Sequence, residues 1–339
     1  MIAPDTRARA GRLLDGFLAA GAVRVEPPIL LPAGPLLDLY GEDIRARAFT
    51  THDPLRGEAM LRPDFTVPVV LTHLEGSATE AAYAYAGEVF RRQEDDEGRP
   101  REYLQVGYER MGGDPAQADA EVLSLIARAV GRAIPATGDL GLLIAAVDSL
   151  DTTRARRAAL RRHLWRPRRF RRLMERFTAT VQRDLPEAAC DAPVIGLRSA
   201  EEIAARHAAL IEDASAPPIP ATQADAIEEL LDLAAPMQAA LSPLRDMAVD
   251  LPGLDPAVDR FEARMEALAA RGVDVATLPF ALAKGRSALE YYDGFTFTFS
   301  NGRDVVATGG RYDALTAALG RAVPAVGGVI RPGLLEDAP

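Results

Sequence analysis

Strand signals are concentrated toward the two ends of this 339-residue chain and nearly vanish between Asp151 and Gly272. Residues 83–91 and 101–111 alternate in polarity and are joined by a turn containing Gly98 and Pro100, the pattern of an antiparallel hairpin. Asp114-Pro115 then predicts the start of a helix reaching about Arg132, and Leu140 to Val147 reads as a further apolar strand. Strands resume at Phe295-Thr296-Phe297-Thr298-Phe299, at Val305 to Thr308 and at Val323 to Ile330. Between them come helix starts: Ser199 with Glu202 as a capping box, and Asp255-Pro256 ahead of Val258, Phe261, Met265 and Leu268. The Pro-rich stretch from Ala214 to Ala221 separates two of these helices. A sheet with strands from both ends must close around whatever lies between. The expectation is an α+β fold with one discontinuous domain, 1–150 and 273–339, interrupted by a mostly helical insertion over 151–272.

Composition narrows the class of function. With 48% apolar residues the chain can bury a sizeable core, and a formal net charge of -10 argues against generic nucleic-acid binding, which draws on surface Lys and Arg. The single Cys190 excludes an internal disulfide and a thiolate cluster and fits a reducing, cytoplasmic setting. His52, His73, His163 and His207 show no metal-ligand spacing, and neither a phosphate-binding Gly-Lys loop nor a nucleophile elbow is present, so no metal or cofactor is expected. The apolar stretch from Gly16 to Val23 is closed by Arg24 and belongs with a first helix over about Asp5 to Ala20, carrying Leu13, Leu14, Phe17 and Leu18 on one face. No run approaches the roughly 20 apolar residues that a membrane span requires.

In the strand after the hairpin turn, period-two alternation puts Arg101, Tyr103, Gln105, Gly107 and Glu109 on one face and Leu104, Val106 and Tyr108 on the other. The second set is a core face. On the first, an amide and a carboxylate buried without partners would cost several kcal/mol, so Gln105 and Glu109 are either solvated on an outward-facing strand or held for a ligand. Periodicity leaves both readings open.

Four motifs carry a family resemblance. Arg62-Pro63-Asp64-Phe65-Thr66, then Phe90-Arg91 with Gly98-Arg99, Arg101-Glu102-Tyr103 and Gln105, then Leu289-Glu290-Tyr291-Tyr292-Asp293-Gly294, and finally Gly309-Gly310-Arg311-Tyr312-Asp313 together resemble the histidine-binding half of histidyl-tRNA synthetases. The helix followed by Val23-Arg24-Val25 and Pro27-Pro28 is similar to motif 1, the dimer-interface element of class II synthetases. The resemblance implies a class II aminoacyl-tRNA synthetase-like antiparallel sheet flanked by helices and a homodimeric core. It also implies a histidine pocket made by Asp64, Thr66, Arg91, Gln105, Glu109, Tyr291, Tyr292 and Tyr312. In that pocket Asp64 meets the α-amino group, Gln105 orients the ligand, and Glu109 with a phenol serves the imidazole.

The chain departs from an active synthetase where phosphate is handled. Ser287 stands where the resemblance expects an arginine, and the stretch Gly327 to Leu334 lacks the expected Gly-Leu-Glu-Arg. Gln93 replaces an acid that would read adenine, and Glu94-Asp95-Asp96-Glu97 follows it. No anticodon-binding domain is expected. A retained amino-acid pocket without activation residues resembles the ATP phosphoribosyltransferase regulatory subunits of histidine biosynthesis. That resemblance implies a non-catalytic protein that partners a short-form catalytic ATP phosphoribosyltransferase subunit in a hetero-oligomer and transmits feedback inhibition by histidine. The rivals are a truncated ligase that makes an adenylate, and an RNA-binding module built on the arginine-rich segment Arg154 to Arg176. That segment also reads as a pair of amphipathic helices with a solvated face, or as a subunit interface that exposed Trp165 and Phe170 would favour.

Overall fold

The computed structural model describes residues 2–40, 48–92, 100–180, 196, 198–285 and 292–335. Among them the elements run α1 (Pro4–Ala19), β1 (Val23–Arg24), β2 (Leu30–Pro32), α2 (Ala33–Tyr40), β3 (Thr50–Asp53), β4 (Gly57–Leu61), α3 (Thr66–Glu75), β5 (Ala81–Phe90), β6 (Glu102–Met111), α4 (Pro115–Val130) and β7 (Ile134–Asp139). There follow α5 (Leu140–Ser149), α6 (Arg154–Arg162), α7 (Pro167–Thr178), α8 (Ala200–Ser215), α9 (Ala221–Asp232), β8 (Ala234–Pro236), α10 (Met237–Asp250), α11 (Asp255–Ala270) and β9 (Pro279–Ala281). After a single helical turn at Leu282–Gly285 come β10 (Phe295–Ser300), β11 (Val305–Arg311), α12 (Asp313–Ala318) and β12 (Ala325–Ile330).

Two compact units result. The first comprises Met1–Gly141, Ala234–Leu241 and Asp259–Pro339, and the second Leu142–Leu233 and Ser242–Val258. The first is built on a nine-stranded sheet in the order β1-β5-β6-β12-β11-β10-β7-β9-β8, beside a three-stranded sheet β2-β4-β3. The long neighbours β5·β6, β6·β12, β12·β11, β11·β10 and β10·β7 are all antiparallel, while β1·β5 and β7·β9 are parallel, so the sheet is mixed at its flanks. The hairpin expected from alternation is β5·β6, registered from Ala81↔Met111 to Phe90↔Glu102. β6 then pairs with β12, some 200 residues later in the chain, which places β6 in the sheet interior.

One face of this sheet rests on α1 and α4. Phe17 of α1 meets Tyr108 with ring centroids 5.5 Å apart, and Asp114 caps α4 by accepting from the Gln117 N–H at 2.8 Å. Behind it lies an ion network. Asp119 on α4 accepts from Arg311 at 2.8 Å and from Arg264 at 3.1 Å, and Arg264 also pairs with Asp139 at the end of β7. Burial pushes the Asp119 carboxyl up, against the pull of the Arg311 and Arg264 guanidiniums.

Two local expectations are revised, and one open alternative is decided. Leu140 to Val147 is not a strand but most of α5, since an uninterrupted apolar run cannot distinguish a buried strand from a buried helix. Asp139 marks the change by accepting from the Gly141 N–H at 2.7 Å. A strand, β8, does lie inside 151–272, where Ala-Ala-Pro has no β-forming signature and is held by pairing to β9. The face of β6 that carries Gln105 and Glu109 is not outward-facing, because both side chains are 1% exposed.

In the second unit, α6 and α7 are the expected amphipathic pair, burying Leu160, Leu164, Phe170, Met174 and Phe177. Arg156 ties them down, donating to Asp213 at 2.8 Å and to the Pro217 carbonyl at 2.9 Å. Ser199 and Glu202 form the capping box of α8.

Candidate ligand-binding site

The hairpin register sets the floor of a polar pocket on the sheet face opposite α1 and α4. Glu109 of β6 lies between Tyr83 of β5 and Gly327 of β12, and Gly310 of β11 pairs with Gly327 in the same row. Gly327 must lack a side chain, because a Cβ there would overlap the Glu109 carboxylate. At Gly310 a Cβ would come within 2.9 Å of the Tyr292 ring, and at Gly107 it would overlap the Tyr85 ring. Glycines on three adjoining strands thus hollow the sheet so that one carboxylate and two phenols lie against its backbone.

Glu109 is satisfied by three hydroxyls. Tyr85 donates to Oε1 at 2.9 Å and Thr66 to the same oxygen at 3.2 Å, while Tyr312 donates to Oε2 at 2.5 Å. A carboxylate offers about four lone-pair directions, so a position remains for a further donor. Burial pushes the Glu109 carboxyl up to about 7; the three hydroxyls oppose that shift and the neighbouring charge of Asp64 adds to it. The phenols of Tyr85 and Tyr312 are in turn pushed well above their ordinary range by burial and by the Glu109 charge, so they remain donors.

Thr66 reaches Glu109 because it begins α3, and the residues before it are pinned by Arg62. Its guanidinium donates to the Pro27 and Glu88 carbonyls at 2.5 and 2.7 Å and stands 4.1 Å from the centroid of the Phe65 ring. Phe65 stacks on Tyr85 with centroids 4.2 Å apart and planes 12° from parallel. Asp64, just ahead, accepts from the backbone N–H groups of Thr66 and Val67. Burial raises its pKa and the Arg91 guanidinium lowers it; Arg91 itself donates to the Pro63 carbonyl at 2.8 Å.

Two polar atoms in this region have no hydrogen-bond partner among the described residues: Oδ1 of Asp64 and Oε1 of Gln105. Asp64 is 8% exposed and Gln105 1%, so bulk water does not relieve them. Both are acceptors. A buried acceptor without a donor is costly, and a ligand bearing N–H groups at two ends would remove that cost at Asp64 and Gln105 and fill the remaining position on Glu109.

Of the eight residues singled out in the sequence, Thr66, Glu109 and Tyr312 are joined directly by hydrogen bonds. Asp64 is close enough to Tyr85 for its charge to act on it, and Tyr292 is buried with its ring against Gly310. Gln105 lies on the face of β6 that carries Glu109, and Arg91 begins the segment after β5. Tyr291 lies outside the described residues, as do Ser287, Gln93 to Arg99 and Cys190. Sequence reading missed Tyr85, although its pairing opposite Gly107 in the predicted hairpin was the available signal. Arg331, directly after β12, holds its guanidinium 5.7 Å from the Tyr103 ring centroid. Among the described residues no group of three or more His, Cys, Asp or Glu side chains is placed to hold a metal ion, and no helix is long and apolar enough to cross a membrane.

The sheet order and the pocket on its face define a class II aminoacyl-tRNA synthetase-like protein, and a family model described as histidyl-tRNA synthetase matches residues 3–332. Among curated proteins, the ATP phosphoribosyltransferase regulatory subunit of Allorhizobium ampelinum is 35% identical, covering 94% of each chain, and that of Agrobacterium fabrum is 34% identical, covering 94% of this chain and 93% of its own. The chain belongs to this family of ATP phosphoribosyltransferase regulatory subunits, relatives of histidyl-tRNA synthetase. Solved structures share the fold. An ATP phosphoribosyltransferase regulatory subunit/histidyl-tRNA synthetase from Bacillus halodurans superposes with a TM-score of 0.70 at 20% identity, over 97% of this chain and 78% of that one. A histidine–tRNA ligase subunit from Alicyclobacillus acidocaldarius gives 0.59 at 23% identity, over 98% and 92%.

Proposed function

We propose that this chain is a non-catalytic regulatory subunit of an ATP phosphoribosyltransferase, required for the first step of histidine biosynthesis, and that histidine in the Glu109 pocket delivers feedback inhibition. The names of the curated relatives support the regulatory role. The observation that carries the ligand is the disposition of acceptors: Glu109 held by three hydroxyls, with Asp64 Oδ1 and Gln105 Oε1 buried and without donors. Histidine matches it. Its ammonium supplies donors to Asp64, and its imidazole supplies one N–H to Glu109 and one acceptor to a phenol. Thr66, Arg91, Tyr291, Tyr292 and Tyr312 complete the assigned pocket.

The partner is a short-form catalytic ATP phosphoribosyltransferase subunit, and the regulatory chains form a homodimeric core inside the hetero-oligomer, in the cytoplasm. The domain reading that goes with this role is a synthetase-like domain, 1–150 and 273–339, carrying the helical insertion 151–272. Feedback then requires histidine to bind one state of the complex better than another, with a coupling of typically about 1–3 kcal/mol. The absence of enzymatic activation is read from Ser287 and from the loss of Gly-Leu-Glu-Arg, since a guanidinium fork is what holds a polyphosphate bidentately.

The test is reconstitution. The purified chain is mixed with a short-form catalytic phosphoribosyltransferase, and activity is measured with and without histidine. Activation by the chain and its reversal by histidine are expected; a catalytic subunit indifferent to the chain would reject the role.

A further inference from the structure

Residues 154–176 hold eleven arginines against the one acid Glu175, a formal charge of +10 inside a chain whose total is -10. The eleven arginines fall into two sets, five tied to groups of the same unit and six without a carboxylate partner among the described residues. One is committed to the protein itself: Arg156 and Arg176 to Asp213, Arg157 to the Leu150 and Thr152 carbonyls, Arg161 to Asp148, and Arg171 to Glu228 and Asp232. The other is Arg154, Arg162, Arg166, Arg168, Arg169 and Arg172, exposed and with no carboxylate partner among the described residues; all but Arg154 lie between residues 162 and 172, at the turn between the helices and the start of α7, and Arg162, Arg166 and Arg169 lie nearest His163.

These three guanidiniums surround His163 closely enough that their charge, after burial, holds its imidazole below the ordinary range. Like charges held together around one turn repel, and a bound anion relieves that repulsion. The same turn contains two buried polar atoms without a hydrogen-bond partner among the described residues, Nδ1 of His163 and the indole Nε1 of Trp165. The indole nitrogen is a donor only, so its missing partner is an acceptor.

The geometry points to a site for a short polyphosphate at the α6–α7 turn, formed by Arg162, Arg166 and Arg169 with Trp165. Guanidinium forks match phosphate oxygens bidentately, and two or three linked phosphates supply the charge that three arginines answer. A compact ligand fits better than an RNA strand. RNA binding needs basic side chains free along a continuous track, whereas here most arginines farther along both helices are tied to carboxylates and carbonyls of the same unit. A nucleoside triphosphate and inorganic tripolyphosphate share this chemistry.

Calorimetric titration of the full chain with tripolyphosphate, and separately with ATP, at near-physiological salt tests the site. Saturable binding at one site is expected for both. The Arg166→Glu/Arg169→Glu double variant should weaken it at least about tenfold while leaving histidine affinity unchanged, and Arg154→Glu, an exposed arginine at the far end of α6, should change it little. The His163 imidazole resonance should shift on addition of tripolyphosphate. If the double variant fails to fold, Arg162→Gln is read in the same way. Absence of saturable binding, undiminished binding by the Arg166→Glu/Arg169→Glu variant, or binding of a short single-stranded RNA without binding of tripolyphosphate would each overturn the proposal. Tight binding of ATP but not of tripolyphosphate would also overturn it, because recognition would then lie with the nucleoside.

Discussion

The Tyr312 hydroxyl lies 2.5 Å from Oε2 of Glu109 although 203 residues separate them in sequence. Tyr312 follows directly on β11 and Glu109 is on β6, so this contact exists only once β12 has been inserted between those strands. Hydrogen bonds to a charged group contribute about 1.5–3 kcal/mol each, so Tyr312→Phe should weaken histidine binding by roughly tenfold or more. Calorimetry on the purified chain measures this. Unaltered affinity would remove Tyr312 from the pocket.

Glu109→Ala is expected to abolish histidine inhibition of the reconstituted complex while leaving assembly and the uninhibited rate intact. Gly327→Ala should reproduce that phenotype without touching any ligating group, because the added methyl overlaps the Glu109 carboxylate and forces it from its hydroxyl donors. Overpacking of this kind destabilises by about 1–3 kcal/mol, so the variant should fold but melt earlier. An inhibition assay on both variants decides the matter; a Gly327→Ala complex with normal histidine sensitivity would contradict the geometry.

The raised pKa of Glu109 has a consequence for stability. Its carboxyl titrates at about 7 in the folded chain against 4.5 for an ordinary glutamate, so between those values the native state binds more protons than the unfolded state. Stability from this group is therefore present at the low end of the window and is lost as pH rises through 7. Between pH 6 and pH 8 the loss is about 1.4 kcal/mol, roughly one pKa unit's worth. Glu109→Gln should flatten that part of the profile in denaturant titrations without histidine. A variant that keeps the full slope would show that the proton binds elsewhere.

Asp119 answers two guanidiniums, Arg311 and Arg264, in a buried setting. Asp119→Ala should lower stability by about 3–5 kcal/mol, as removing one member of a buried ion network does, whereas exposed pairs such as Arg24 with Glu26 should matter by about 1 kcal/mol or less. Chemical denaturation of both variants makes the comparison.

Histidine-dependent ATP–pyrophosphate exchange is expected to be absent from the purified chain. Robust exchange would return the ligase reading and would direct attention to Arg331 as a guanidinium able to face the nucleotide.

The hairpin β5·β6 was legible because Tyr83 to Arg91 and Arg101 to Met111 alternate without interruption around a Gly and Pro turn. The α8 capping box and the helix after Asp114 were legible for a similar reason, since their signals are local hydrogen bonds. What alternation could not say was whether the polar face of β6 is covered, because the groups lying against it, Thr66, Tyr85 and Tyr312, belong to other elements, the last of them some 200 residues further along the chain. The helix at Leu140 failed for want of periodicity, since a segment apolar on all sides carries no 3.6-residue signature. Tyr85 was overlooked because its partner in the strand register is a glycine, whose meaning appears only when the ring is seen lying over it.

The position of β12 in the sheet bears on biosynthesis. A nascent chain can close the β5·β6 ribbon early, but the open flank of β6 waits about 200 residues of translation for residues 325–330 to arrive. Until then the ribosome-bound intermediate presents an unpaired β edge next to a carboxylate that still lacks its Tyr312 donor, a form prone to misassembly. Yield during expression should therefore depend on elongation rate and chaperone supply, as it does for proteins whose contacts are mostly distant in sequence.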